Sequence, residues 1–281
     1  MPNKPLVIYH SHCADGFSAA WAFWHRYRDS YRYHPAKYGE LPPDVNGKDV
    51  YVVDFSYDRD ILERLILPEV KSIAIIDHHK TAIENLILFQ HSKLSLCLDD
   101  SKSGAMLAWE YLADTVDKIR YSVPLLLKYV QDRDLWKFEL PGSKEVAMSL
   151  FSYAYDFETY ENLMMNTPIP NLIAEGRAIL RKFNKDLEEL LPLTSRIAYL
   201  CGYAVPIANL PHFYASEGGM ELAKNFAFAA TYYDTPEHRV FSLRSTPEGI
   251  DVSQIASMYG GGGHKHASGF KVPRNHVLAT I

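Results

Sequence analysis

The stretch "AIIDHHKTA", residues 74–82, decides how this chain is read, because an apolar run through Ile75 and Ile76 stops abruptly at Asp77, His78 and His79. A carboxylate and two imidazoles set directly after an apolar strand are costly to bury without strong partners. They predict a charged cluster that other parts of the chain complete. Residues 71–76 have the length and β-branched content of a buried strand, so the cluster falls at that strand's C-terminal end.

Two more segments have the same form. Residues 4–9 read as a short buried strand followed by a helix over 17–28, and residues 49–55 read as a second strand ending at Asp54, with a helix over 58–67. Strand, turn and helix in succession open an α/β unit, and in an open parallel sheet the C-terminal strand edge is where ligands bind. A parallel sheet would bring together His10, His12 and Asp15 from the first strand end, Asp54 from the second and Asp77, His78 and His79 from the third. Mixed carboxylate and imidazole donors suit divalent ions of the Mn²⁺ type. The segment "YVQDRDLW" adds Asp132 and Asp134 after a helical stretch. A carboxylate shared by two cations about 3.5–4 Å apart creates a site that acidifies water and clamps a phosphoryl oxygen.

Each element also has an ordinary reading. A single Asp after a strand is commonly a cap or turn residue, and His25, His34, His91, His212, His238 and His276 are read as ordinary surface or core histidines. Three charged strand ends in one chain weigh against that reading for the cluster.

Helices dominate over residues 103–133, with Ser103 as the expected cap of the first. After Pro168 and Pro170, residues 173–191 show apolar positions at helical spacing with dense charge between them, and the helix is expected to end at Pro192. From Arg196 the texture becomes alternating and β-like, in "RIAYLCGYAVPIANL", "NFAFAATYYD" and "HRVFSLRS". A domain boundary is therefore expected near residue 193. In "YGGGGHKHASGF", residues 259–270, four consecutive glycines are costly to order. Their amides can form a phosphate-binding nest, to which His264 and His266 add donors, and the alternative is a flexible turn. Arg244, at the end of a predicted strand, is a second candidate phosphate ligand.

Composition limits the function classes. The 281 residues are 47% hydrophobic, enough for one large core or two modest ones. Three widely spaced cysteines, Cys13, Cys97 and Cys201, suggest neither a disulfide framework nor a zinc ribbon, and a reducing, cytoplasmic location is expected. The start "MPNKPLVIYH" holds too short an apolar stretch for a signal peptide, and no membrane-spanning run is expected. A net charge of −5 disfavours nonspecific gripping of long DNA or RNA, so a nucleic-acid substrate is expected to be short or held by an end.

These motifs resemble the DHH phosphoesterases. "IIDHHKTA" is similar to the motif that names the family, "HSHCADGFSAA" to its first motif, "VVDFSY" to its second and "DRDLW" to its fourth, while "FSLRS" and "IDVSQIASMYGGGGHKHASGF" resemble the DHH-associated C-terminal domain of RecJ-type exonucleases and nanoRNases. The motifs keep the family's order and span nearly the whole chain.

The resemblance implies an α/β fold with a parallel-sheet DHH domain over residues 1–170, a helical linker over 171–193 and a smaller substrate-binding α/β domain over 194–281. It implies two metal ions, usually manganese, with Mg²⁺, Co²⁺ or Zn²⁺ as alternatives. Carried over by motif, His10, Asp15, Asp54, His78 and Asp132 would be metal ligands, with Asp54 bridging. His79 would contact the scissile phosphate or orient a ligand, and Asp77 would hold an imidazole in the right tautomer. Arg244 and the loop of Gly261, Gly262, Gly263 and His264 would hold the nucleotide.

The first motif departs from the family at Cys13, where a carboxylate is usual. That loss should weaken hard-ion binding at one site. Cys13 is then read as a small buried hydrophobe, as the mark of a weakened site, or as a thiolate ligand favouring softer ions. The family histidine falls ambiguously, and His10 is preferred over His12 because it directly follows the strand. Asp132 is preferred over Asp134 because it directly follows the helical stretch.

The expected activity is metal-dependent hydrolysis of short oligonucleotides, or of a terminal nucleotide, to mononucleotides. Alternatives within the class are a cyclic-dinucleotide phosphodiesterase and a small nucleotide phosphatase, and outside it a nucleotide-binding sensor with a degenerate metal site. The expected partner is a short nucleic acid or nucleotide, with no membrane, and a homodimer is left open.

Overall fold

The computed structural model describes residues 4–114 and 122–281. It divides into two units, Met1–Arg181 and Lys182–Ile281.

The first unit is built on a parallel sheet. Its strands are β1 (Leu6–His10), β2 (Arg32–Ala36), β3 (Asp49–Val53), β4 (Ser72–Asp77) and β5 (Leu94–Leu98), in the order β2-β1-β3-β4-β5. The central strands are apolar on both sides, as a parallel sheet covered on both faces requires. Val7, Val53 and Ile76 face one core, and Leu6, Ile8, Val50, Val52, Ile73 and Ile75 face the other. Helix α1 (Ala14–Tyr27) covers the first face with α4 (Gly104–Asp114), α5 (Leu125–Asp134) and α7 (Phe157–Asn166). Trp21 stacks on Trp109 there, and Phe17 stacks on Phe157.

The sequence marks the three inner strands; β2 and β5 are the additional ones. Both are edge strands, and β2 carries Pro35, whose missing N–H an edge tolerates. The helix expected over 58–67 is a single turn, α2 (Arg59–Ile61), continued by a π-turn through Leu62–Ile66. Of the helical region expected over 103–133, residues 115–121 lie outside the described residues. Ser103 does cap α4, accepting a hydrogen bond from the Met106 N–H at 3.3 Å. The remaining helices of this unit are α3 (Lys80–Leu86) and α6 (Ser143–Phe151).

Helix α8 (Ile169–Thr194) crosses the division between the units. It runs two residues beyond Pro192, and the Thr194 hydroxyl donates to the Leu190 carbonyl at 2.8 Å in its last turn.

The second unit holds a mixed sheet of six strands in the order β10-β11-β9-β8-β7-β6. These are β6 (Ser195–Leu200), β7 (Tyr203–Asn209), β8 (Ala229–Asp234), β9 (His238–Arg244), β10 (Gly262–His264) and β11 (Ala267–Pro273), accompanied by α9 (Ala215–Ala223) and α10 (Val252–Ser257). Its core is formed by Val205, Ile207, Phe228, Phe241, Leu243, Ile255 and Phe270.

The tetraglycine segment is partly a strand. Gly262 and Gly263 belong to β10, paired with Gly269 and Ser268 of β11. A Cβ on Gly261 would lie 2.1 Å from the Gly269 carbonyl oxygen, whereas one on Gly260 would meet nothing within 4 Å, although Gly260 has φ +72°. Gly261 is thus required for close backbone approach, and Gly260 only for its left-handed conformation. Gly261→Ala is expected to destabilise the protein by about 1–3 kcal/mol, as overpacking does. Gly260→Asn should cost about 1 kcal/mol or less, since Asn tolerates that conformation. Urea denaturation of both variants checks this; equal costs would contradict it.

Candidate metal centre

The C-terminal ends of β1, β3 and β4 lie side by side in the sheet and deliver His10, Asp54 and the Asp77-His78-His79 run to one edge. Asp54 is the centre. It follows β3 directly, its N–H donates to the Ile76 carbonyl at 2.9 Å, and its φ of 53° lies in the left-handed region. A non-glycine residue held there stores strain, which is characteristic of functional sites.

Two glycines make the position possible. A Cβ on Gly16 would lie 2.3 Å from the His10 carbonyl oxygen and 3.0 Å from Asp54 Oδ2, and a Cβ on Gly104 would lie 2.5 Å from the Asp54 Cβ. The first turns of α1 and α4 therefore close on Asp54 with no room for a side chain. Asp15 is set against the start of α4 as well, with its Oδ1 3.2 Å from the Ala105 N–H that donates to it.

Around Asp54 stand three groups of donors, one of them Asp54 itself with Asp77 and His79. His10 Nδ1 stands 3.6 Å from Asp54 Oδ2, and Cys13 completes a cluster in which the ligand atoms of His10, Cys13 and Asp54 all lie within 4.8 Å of one another. On the other side, His78 Nε2 lies 3.1 Å from Asp54 Oδ1, 3.9 Å from Asp15 Oδ2 and 3.5 Å from Asp134 Oδ2. Asp15, His78 and Asp134 form a second cluster of the same size.

Behind these groups, Asp77 Oδ1 is 2.7 Å from His79 Nδ1, so the carboxylate fixes the ring and assigns a proton to that nitrogen. The same oxygen accepts the His78 N–H at 2.8 Å and the His79 N–H at 3.2 Å. Tyr38, which nothing in its sequence context singles out, packs its ring against His10, Phe55 and His79 with centroids 5.5, 4.8 and 6.1 Å away. It forms the exposed rim of the site at 47% exposure.

The charges do not balance by themselves. Burial pushes Asp15 well up, and the neighbouring carboxylates Asp134 and Asp54 push it further. Burial also raises Asp134, although His78 opposes it. For Asp54 burial is outweighed by His10 and His78, which hold its carboxyl well below the ordinary value. His78 is raised despite its burial, chiefly by Asp134 and Asp54. Asp54 is only 1% exposed, yet neither of its carboxylate oxygens meets a donor in hydrogen-bonding geometry, and Asp134 Oδ2 and His10 Nδ1 are in the same condition. Buried, unsatisfied anionic oxygens converging from the end of β3 and the end of α5 are what divalent cations would satisfy, so the residues fit a metal centre.

The structure differs from the sequence expectation at Asp132. Its carboxylate accepts the backbone N–H groups of Glu139 at 2.9 Å and Leu140 at 3.2 Å, bracing a loop in which Trp136 and Phe138 both have positive φ. Asp134 is the residue brought into the cluster. One helical position separates a bracing carboxylate from a clustered one, and that choice depends on how α5 ends. His10 enters the cluster, whereas His12 is exposed and outside every group of donors found among the described residues.

In the second unit, Arg244 is held ready at the end of β9. Its guanidinium donates to Ser242 Oγ at 3.0 Å, the Leu243 carbonyl at 2.8 Å and Ser216 Oγ at 2.8 Å, and its stem lies across Gly219 of α9. Ala267 pairs with Arg244 on one side and with His264 on the other. Arg244 and His264 therefore stand in one row on the same sheet face, two strands or about 10 Å apart. His266, a further candidate donor, has its Nδ1 2.8 Å from Ser245 Oγ, and burial lowers its pKa.

No family model matches the chain. An uncharacterised protein, R106, of Acanthamoeba polyphaga mimivirus is 29% identical over 288 residues, covering 94% of this chain; the chain spans 66% of that relative's length. Similar solved structures include RecJ of Thermus thermophilus in complex with Mn²⁺, at 14% identity, 95% of this chain, 49% of that one and a TM-score of 0.48. A pGpG-specific phosphodiesterase, PggH, of Vibrio cholerae matches at 11% identity over 99% and 95% of the two chains, with a TM-score of 0.43. CDC45 of Entamoeba histolytica matches at 10% identity over 98% and 93%, with a TM-score of 0.48. Similarities this distant do not transfer chemistry. Among the described residues, no helix is long and apolar enough to cross a membrane.

Asp134→Asn is expected to weaken Mn²⁺ binding by at least about tenfold, the lower end of what even an outer-shell change does to metal affinity. Asp132→Asn should leave the metal in place and cost about 1–3 kcal/mol of stability through its two backbone hydrogen bonds. Calorimetric Mn²⁺ titration alongside thermal denaturation separates the two. The opposite pattern would restore Asp132 as the ligand.

Proposed function

We propose that this protein is a metal-dependent phosphoesterase that hydrolyses short oligonucleotides, or a terminal nucleotide, to mononucleotides. The observation that carries this reading is the convergence of two donor groups on one buried, hydrogen-bond-poor carboxylate, Asp54. His10, Cys13 and Asp54 would hold one divalent cation, and Asp15, His78 and Asp134, with Asp54 shared, the other. Bound there, two cations supply an acidified water and a clamp for the charge that builds on phosphorus.

The chain's own residues supply the rest. Asp77 fixes the His79 ring, and although burial acts against it, the Asp77 charge raises the His79 pKa. The raised pKa favours the protonated ring, which can donate to a phosphoryl oxygen whose charge grows in the transition state. Tyr38, backed by the buried Phe55, walls this side of the site with aromatic surface. Arg244, with its guanidinium already anchored, and His264, in the same row, offer positive charge and donors to a nucleotide phosphate. The net charge of −5 favours a short substrate over a long polyanion.

Three experiments test this. A panel of dinucleotides, cyclic dinucleotides, 3′,5′-bisphosphates and short oligomers, assayed with Mn²⁺, should show turnover that is fastest on short linear substrates. Asp54→Ala should lower turnover by at least about 10³-fold while the protein remains folded, since cation stabilisation of transition-state charge is worth several kcal/mol. Arg244→Ala and His264→Ala should raise KM and leave the metal content unchanged. Near-normal turnover by folded Asp54→Ala would overturn the assignment, and binding of the panel without hydrolysis would make the protein a sensor.

A further inference from the structure

Cys13 stands in the donor group of His10 and Asp54 proposed above for the first cation. It occupies the N-cap position of the fourteen-residue α1 in extended conformation, φ −126° and ψ 133°, and its side chain makes no capping hydrogen bond. Its sulfur belongs to the cluster with His10 and Asp54, ligand atoms all within 4.8 Å of one another. A cysteine in that place could be no more than a small apolar filler. The atoms it faces argue otherwise. Asp54, 1% exposed, directs Oδ2 toward His10 Nδ1 at 3.6 Å while its Oδ1 faces His78 Nε2 at 3.1 Å, and neither Oδ2 nor the buried His10 Nδ1 makes a hydrogen bond. A cation held by His10 and Asp54 satisfies both, and the Cys13 sulfur stands within the same 4.8 Å group as its third protein donor.

The geometry points to Cys13 as a thiolate ligand of the cation held by His10 and Asp54, which makes this half of the centre a nitrogen, sulfur and oxygen site selective for a borderline-soft ion such as Zn²⁺ or Co²⁺. The other half, formed by Asp15, Asp134, His78 and the shared Asp54, is rich in oxygen and suits Mn²⁺. The centre is then asymmetric, taking two different ions rather than a manganese pair. On coordination the thiol loses its proton to solvent and the sulfur lone pair forms the bond to the cation, so binding releases one proton at this position. This inference rests on the two-cation reading of the cluster.

Cobalt substitution tests it without reference to activity. Wild type, Cys13→Ser and Cys13→Asp are titrated with Co²⁺ while the near-ultraviolet sulfur-to-cobalt charge-transfer band and the bound stoichiometry are followed. Denaturation of the metal-free proteins checks that all three are folded. Wild type should develop the band, and both variants should lack it. Cys13→Asp should still bind two ions, with its Zn²⁺ over Mn²⁺ preference reduced by at least about tenfold. Two bound cobalt ions with no band in wild type, or a band retained in both variants, would overturn the assignment of Cys13 and leave the two-cation reading standing. A folded wild-type protein that takes up no Co²⁺ would overturn that reading, and this inference with it.

Discussion

The constraint on which the rest of this structure depends is the burial of Asp54 at the C-terminal edge of a parallel sheet, in a left-handed conformation, between two helix starts that leave no space for a Cβ at Gly16 or Gly104. No part of that arrangement is favourable alone. The backbone is strained, the carboxylate is out of water, and the oxygens lack donors. It persists because the surrounding packing is dense. The sheet is covered on both faces by large apolar cores, and α1 and α4 are held against it by Trp21, Phe17 and Trp109. A rigid scaffold can hold a strained, undersatisfied carboxylate and so preorganise it for ligands that supply the missing charge.

Much of this was legible from the order of residue types. Apolar runs ending in polar residues identify three strands and the edge at which they converge, and the texture change after residue 193 marks a second, β-rich region. The strands that the sequence does not mark are those at the sheet's edges. Their patterns are short or interrupted, as Pro35 shows in β2, because only one side of an edge strand is hydrogen-bonded. The π-turn at Leu62–Ile66 is unmarked for a related reason, since a helical hydrophobic pattern does not distinguish one hydrogen-bond offset from another.

The site was legible in kind but not in every atom. His10 and Asp54, and the run from Asp77 to His79, fall where strand ends place them. Asp132 and Asp134 are separated only by how α5 terminates, where two backbone N–H groups claim one carboxylate and leave the other to the cluster. Gly104, which the sequence does not single out, is a contact surface for Asp54. The tetraglycine run suggests a phosphate nest or a flexible turn, and in the structure Gly261 and Gly263 serve close strand pairing, with would-be Cβ contacts of 2.1 and 2.6 Å to backbone oxygens. A glycine run reports that backbone must come close to something, and sequence does not say whether that is a ligand or another strand.

The central claim is that the cluster around Asp54 is a centre for two cations, and anomalous X-ray scattering from crystals soaked in Mn²⁺ and Zn²⁺ tests it most directly. The expected result is two peaks about 3.5–4 Å apart astride the Asp54 carboxylate, one against His10 and Cys13 and the other against Asp15, His78 and Asp134. A cluster that stays empty at saturating metal, or a single ion bound away from Asp54, would contradict it.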